Sequence, residues 1–279
     1  MLIGARAHDF GKLPVDELAD KIQKKNISYI QLALSKAIEG IDDASGILNP
    51  GLASYCRDTF HKRNIKISVL GCYLNYIHPD PEQRRKNIES FKEHIRFARD
   101  FGCSVVGTET GSVNADYSYS DENKSDSAFE MLYESLKELV EEAEKFGVFV
   151  GIEGVTDHVI ATPKRMKQMV DRINSNNLQV IFDPVNLLCI DNYEYQDDII
   201  NESFDLFGDK IVIIHAKDFV VENGVFKETA PGTGSLNYNL LSRLIKQRKP
   251  YVEILMEETN ESSISASADY IRKYFEPTA

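Results

Sequence analysis

A chain of 279 residues, 42% apolar and 27% charged, can bury one large core and has the composition of an ordinary globular protein rather than a disordered or fibrous one. Its formal net charge of −12 repels phosphate backbones, and Lys and Arg are scattered among Asp and Glu on helical faces, so nucleic acid is disfavoured as a partner. Cys56, Cys72, Cys103 and Cys189 are too dispersed for a zinc or disulfide framework, no stretch reaches the ~18 apolar residues of a membrane span, and Met1–Arg6 lacks a basic and apolar leader; a cytoplasmic protein without membrane partners is expected.

Eight short β-rich runs follow one another along the chain: Leu2–Ala7, Tyr29–Leu34, Ile65–Leu74, Ser104–Thr108, Val148–Val155, Gln179–Phe182, Ile211–His215 and Val252–Glu257. Stretches of helical periodicity lie between them. Asp80–Phe101 carries Ile88, Phe91, Ile95 and Ala98 three and four apart, and Ser125–Phe146 carries Phe129, Leu132, Leu136, Leu139 and Ala143. Both stop just before a glycine, Gly102 and Gly147, as a helix C-cap requires. Tyr117–Asp126, rich in Ser, Asp and Tyr, reads as a polar surface loop. Eight strands each followed by a helix, in a length close to the roughly 250 residues typical of the fold, predict an α/β chain forming one (β/α)₈ TIM barrel over residues 1–279. An open doubly wound sheet usually has fewer strands and leaves two edges.

Runs five to eight each close on a polar residue: Glu153, Asp183, His215 and Glu257. Their spacings of 30, 32 and 42 residues are each about one βα unit, so the four occupy equivalent places on successive strands. In a barrel those places converge on the mouth at the C-terminal ends of the strands. Three carboxylates brought together repel one another, and a bound dication removes that penalty. Three oxygen donors and one imidazole suit Mn²⁺ first, then Co²⁺, Zn²⁺ or Mg²⁺, and weigh against Ca²⁺.

With Gly151-Ile152-Glu153-Gly154, Phe182-Asp183-Pro184-Val185-Asn186, Ile214-His215-Ala216-Lys217-Asp218 and Leu255-Met256-Glu257-Glu258 in this order, the chain resembles the xylose-isomerase-like TIM-barrel family of sugar isomerases and epimerases over nearly its whole length. Gly71-Cys72-Tyr73-Leu74-Asn75, His78-Pro79-Asp80, Gly107-Thr108-Glu109-Thr110-Gly111 and Pro231-Gly232-Thr233-Gly234-Ser235 add to the resemblance. Similarity to its ketose 3-epimerase branch implies Glu153, Asp183, His215 and Glu257 as ligands of one divalent ion, with Glu153 and Glu257 also exchanging the substrate proton from opposite faces. Glu258 competes with Glu257 for the last place, but only one of two neighbours on a strand points inward, and Glu257 directly follows the apolar run as Glu153 does. The ketose epimerases carry a histidine three residues after the ligand Asp. Asn186 stands there in this chain, which argues against a free ketohexose as substrate. The family also implies a small carbohydrate partner and assembly as dimers or tetramers.

A carbon acid beside a carbonyl is too weak for an unaided carboxylate, so the expected chemistry is isomerisation or epimerisation of a sugar, keto-sugar or polyol through an enediolate held by the metal. His8, Asn75, His78, Glu109, Asn186 and Lys217, at or just beyond strand ends, are the expected substrate-binding residues. A dehydratase on the same metal site is the alternative, with His78 or Lys217 protonating the departing hydroxyl. An apurinic-site endonuclease is disfavoured, because those relatives need several more His ligands and the chain has six histidines in all. The Pro231-Gly232-Thr233-Gly234 segment lacks a P-loop lysine and reads as a turn leading into the last helix before strand eight rather than a phosphate cradle.

Overall fold

Cap residues cut the chain into repeating units. Asn49, Asp80 and Thr162 each precede a proline, and their side chains accept the N–H groups of Leu52, Glu82 and Arg165, satisfying donors that the first helical turn leaves free. The computed structural model describes residues 2–42 and 46–275; Met1, residues 43–45 and residues 276–279 of the expected domain lie outside them. In chain order the elements are β1 (Ile3–Arg6), α1 (Val15–Lys24), β2 (Tyr29–Ala33), α2 (Leu34–Ala37), α3 (Pro50–His61), β3 (Lys66–Gly71), α4 (Pro81–Phe97), β4 (Val105–Glu109), α5 (Asp126–Phe146) and β5 (Phe149–Glu153). They continue with α6 (Pro163–Ile173), β6 (Leu178–Phe182), α7 (Gln196–Phe207), β7 (Ile211–Ala216), β8 (Asp218–Glu222), β9 (Val225–Thr229), α8 (Tyr238–Arg248), β10 (Glu253–Met256) and α9 (Ile264–Phe275).

Strands β1 to β7 and β10 pair in parallel and close into an eight-stranded barrel, with β10 between β7 and β1. The TIM barrel is therefore the fold, and no helix among the described residues is long and apolar enough to cross a membrane. Helix α5 begins one residue later than expected, because Ser125 is its N-cap and accepts the Ala128 N–H, and it ends at Phe146 with Gly147 left-handed at φ 63° as its C-cap. Helix α4 is shorter than expected. Beyond Phe97 the chain tightens into three-residue turns, Asp100 N–H to Phe97 O and Gly102 N–H to Arg99 O, and the glycine ends that turn rather than the helix itself.

One element falls outside the expected alternation. Strands β8 and β9 form an antiparallel hairpin inserted between β7 and α8, turning at Asn223-Gly224, both in the left-handed region at φ 53° and 75°.

Inside the barrel, Val69, Val105, Ile181, Ile213 and Leu255 form a closed apolar cluster. Side chains alternate along a strand, so the residues two places further on, in β4, β6, β7 and β10, aim from this cluster toward the mouth: Gly107, Asp183, His215 and Glu257. Gly107 and Gly151 have no room for a side chain, because a Cβ on Gly107 would stand 2.6 Å from Val69 Cγ1 and one on Gly151 3.0 Å from Ile181 Cγ1. The next inward positions on β4 and β5 are Glu109 and Glu153, which are direct partners across the two strands.

Candidate metal centre

Glu153 closes β5, Asp183 follows β6, His215 lies within β7 and Glu257 follows β10; all four are buried. One donor atom from each lies within 4.8 Å of the others. His215 Nδ1 is 2.9 Å from Glu153 Oε1 and 3.2 Å from Glu257 Oε1. Asp183 Oδ1 accepts the N–H groups of Val185 at 2.8 Å and Asn186 at 3.2 Å, which fixes the carboxylate in the turn after β6. Its second oxygen, Oδ2, is buried with no hydrogen-bond partner among the described residues, and so is His215 Nε2. Buried polar atoms are rarely left unmatched. An orphaned carboxylate oxygen within a set of three carboxylates and an imidazole fits a divalent cation.

The electrostatics show an excess of carboxylate charge at the group. Burial alone would depress the His215 imidazole, yet the Glu153 and Glu257 carboxylates push it up to about 9. Burial pushes Asp183 up to about 7, against the pull of Lys217. Burial opposes ionisation of Glu257 as well, but His215, Lys217 and Arg6 outweigh it and hold that carboxyl down at about 2. Glu258 turns away at φ 52°, its side chain partly exposed and 3.3 Å from Arg6 Nη2. Of the two neighbours, Glu257 is the one gathered with His215.

Asn186 and Lys217 brace the group from the turns that follow β6 and β7. The Asn186 amide donates to Glu153 Oε1 at 2.8 Å and accepts from Lys217 Nζ at 2.6 Å. Lys217 Nζ also lies 3.6 Å from Asp183 Oδ2, 3.7 Å from Glu257 Oε2 and 3.0 Å from Glu228 Oε2 on β9. Burial disfavours its charge, but these carboxylates raise its pKa above the usual lysine value. Arg6, at the end of β1, spans Asp9 at 2.9 Å and Glu257 at 3.6 Å.

The other expected substrate residues divide. Glu109 sits at the mouth, 3.6 Å from His158 Nδ1, and burial together with Glu153 and Glu257 pushes its carboxyl up to about 7. His8 lies in the turn after β1 with Nδ1 buried and unpartnered; burial, then Arg6 and Lys36, push it down to about 4. Asn75 has no free polar group to offer a substrate. Its Nδ2 donates to the carbonyls of Ser112 and Asn114, and its Oδ1 accepts the N–H groups of Ile77 and Ser112, so it ties the β3 and β4 loops together. His78 closes the turn into α4, its Nδ1 accepting the Asp80 N–H at 3.1 Å. The Tyr117–Asp126 loop is anchored rather than free, since Asn123 is buried and donates to the Asp157 carbonyl at 2.7 Å.

Sequence reasoning passed over Arg6, Tyr73, His158 and Glu228. Arg6 and Tyr73 share inward parity with Gly4 and Gly71 on their strands, a signal available from counting by two. His158 and Glu228 are placed by loop and hairpin geometry that the strand pattern does not carry. The glycine segment, in contrast, behaves as read. Buried Asp218 accepts the N–H groups of Gly232 and Leu236, and a Cβ on Gly234 would stand 2.5 Å from Asp218 Oδ1 and 2.7 Å from Phe219 N, so this glycine serves close packing.

Comparison with known proteins agrees with this architecture. An uncharacterised protein of Methanocaldococcus jannaschii is 23% identical over 247 residues, 86% of this chain and 80% of that protein. D-psicose 3-epimerase with D-tagatose from Clostridium cellulolyticum H10 superposes with a TM-score of 0.74 at 16% identity, covering 99% of this chain and 100% of the other. A xylose isomerase-like TIM barrel protein from Mycobacterium smegmatis in complex with magnesium superposes with a TM-score of 0.75 at 15% identity, covering 98% and 95%. The family model for the xylose isomerase-like TIM barrel matches residues 36–274, and the chain belongs to that family.

Proposed function

We propose that this protein is a divalent-metal-dependent isomerase or epimerase of a sugar, keto-sugar or polyol, with Glu153, Asp183, His215 and Glu257 holding the ion. The observation that carries the proposal is the buried quartet, in which Asp183 Oδ2 has no hydrogen-bond partner among the described residues. Mn²⁺ suits its donors, and the magnesium bound by the mycobacterial neighbour supports a dication. A bound ion would supply Lewis-acid polarisation of a carbonyl and its neighbouring hydroxyl.

The chain's own residues supply the rest. Glu153 and Glu257 come from the two ends of the β5-β6-β7-β10 arc, so one takes a proton from the carbon beside the carbonyl and the other returns it to the opposite face or the adjacent carbon. Asn186 holds Glu153 in place through Nδ2, while Lys217 balances the carboxylates. Glu109 and His8 face the substrate from the mouth. Lys217 donates to Asn186 and is ringed by Asp183, Glu228 and Glu257 within 3.7 Å, which leaves it ill placed to protonate a departing hydroxyl and weighs for isomerase over dehydratase. Among the described residues a single histidine joins the metal group, which weighs against an apurinic-site endonuclease.

The test is proton exchange. Manganese-loaded protein is incubated with a panel of keto-sugars in deuterated water and the products are resolved by NMR and mass spectrometry. The expected result is deuterium at the isomerised carbon with no loss of water, and its disappearance in Glu153→Gln with the fold intact. Exchange retained in that variant would sink the assignment of Glu153, and products lighter by water would favour the dehydratase.

A further inference from the structure

Across the mouth from the quartet, the loops after β1, β2 and β3 present three polar groups that have neither a hydrogen-bond nor an ion-pair partner among the described residues. His8 Nδ1 and Tyr73 Oη are buried without a hydrogen-bond partner among the described residues. Lys36, on α2 directly after β2, is exposed, and its Nζ stands 4.8 Å from the centre of the Tyr73 ring; among the described residues no carboxylate is within ion-pair distance of it. Its charge is felt at His8 and at Glu109, which places the ammonium at the mouth. The Tyr73 phenol in turn lies within the field of Glu153, Glu257 and Glu109.

The remaining cations of the mouth are spoken for. Arg6 is shared among Asp9, Glu257 and Glu258, and Lys217 among Asp183, Glu228 and Glu257. On this side of the mouth, among the described residues, that leaves one ammonium, one phenol and one imidazole, the last pushed toward its neutral form by burial and then by Arg6 and Lys36. A single charge with two neutral hydrogen-bonding groups matches a monoanion. A phosphate dianion would call for a second cation or a bidentate arginine.

We propose that His8, Lys36 and Tyr73 form a carboxylate-binding subsite, so that the preferred substrates are sugar acids or keto-sugar acids rather than neutral sugars. The inference rests on reading the quartet as the reacting end of the same site. Calorimetric titration of the manganese-loaded full chain with D-gluconate, D-sorbitol and sorbitol 6-phosphate tests it without requiring turnover. Gluconate is expected to bind about three- to fivefold more tightly than sorbitol, the contribution of one partly exposed charge pair. Lys36→Gln is expected to bring the two within about twofold, whereas direct chelation of gluconate by the metal would be left untouched by that change. Tyr73→Phe, which removes an oxygen that no protein group needs, is expected to keep the melting temperature and weaken gluconate alone. Equal affinities, no binding of either compound, a gluconate preference that survives Lys36→Gln, or Lys36-dependent binding in which the phosphate ester outcompetes gluconate would each overturn the proposal. Gluconate held through Lys36 by a protein that exchanges no substrate hydrogen would keep this inference and reject the reaction. Turnover of neutral ketoses with no Lys36 effect would do the reverse.

Discussion

Replacing Asn186 by Ala removes a side chain that touches both a proposed proton-transfer group and the site's buried ammonium. Two hydrogen bonds to charged groups are lost, at 2.8 Å to Glu153 and 2.6 Å to Lys217. Each such bond is worth about 1.5–3 kcal/mol when broken. Glu153 keeps His215 at 2.9 Å and Lys217 keeps Glu228 at 3.0 Å, so the loss is partly absorbed and a net destabilisation of about 2 kcal/mol is expected. For a domain of this size that lowers Tm by about 3–4 °C. Partners that orient metal ligands typically contribute 10- to 100-fold to affinity or activity, and a fall of about that size in Mn²⁺ affinity is expected. Urea denaturation of the metal-free protein gives the first quantity and calorimetric Mn²⁺ titration the second. The double variant with Lys217→Met separates the amide's bond to Lys217 from its bond to Glu153, and a coupling of at least about 0.5 kcal/mol is expected between the two positions. A variant within about 0.5 kcal/mol of the parent and unchanged in Mn²⁺ affinity would refute the bracing role.

Other outcomes follow from the same geometry. Because His215 is pushed up to about 9 from an ordinary value of 6.5, the metal-free protein carries stability from its charged imidazole that is fully present below pH 6.5 and lost as pH rises through 9. Metal binding at pH 7.5 must therefore expel a proton, read as a buffer-dependent calorimetric enthalpy; an enthalpy independent of buffer ionisation contradicts it. Glu257→Gln should lose Mn²⁺ binding while Glu258→Gln keeps it within about threefold, since Glu258 pairs with Arg6 outside the group. Gly234→Ala would press a methyl against Asp218 and the Phe219 backbone and should cost about 1–3 kcal/mol by urea denaturation. Parental stability there would mean the loop has room the structure does not give it.

The barrel and its quartet were readable because both follow from periodicity. Apolar runs spaced by helical segments dictate parallel strands, and Ile181, Ile213 and Leu255 in the barrel interior put Asp183, His215 and Glu257 two residues on, at the mouth. The same alternation would have placed Arg6 and Tyr73. The hairpin was missed although it carries its own signal, Asn223-Gly224 between Phe219-Val220-Val221 and Val225-Phe226, because attention to βα units hides an inserted antiparallel pair. Glu228 reaches Lys217 through that hairpin and so escaped with it. The place of Asn75 is hidden in the sequence for a different reason. A polar residue past a strand end looks the same whether it faces a substrate or a neighbouring loop, and its partners Ser112 and Asn114 lie 37 and 39 residues away.

Mn²⁺ stoichiometry tests the metal centre most directly. Protein stripped with chelator and dialysed is titrated with Mn²⁺ by calorimetry, alongside Asp183→Ala and His215→Ala variants checked for folding by circular dichroism. One ion per chain is expected for the parent, with a rise in Tm that corresponds to about 4 kcal/mol of stabilisation when free metal exceeds Kd a thousandfold, and no binding in either variant. A folded parent that takes up no ion, or variants that bind Mn²⁺ as tightly as the parent, would contradict the assignment of Glu153, Asp183, His215 and Glu257 as its ligands.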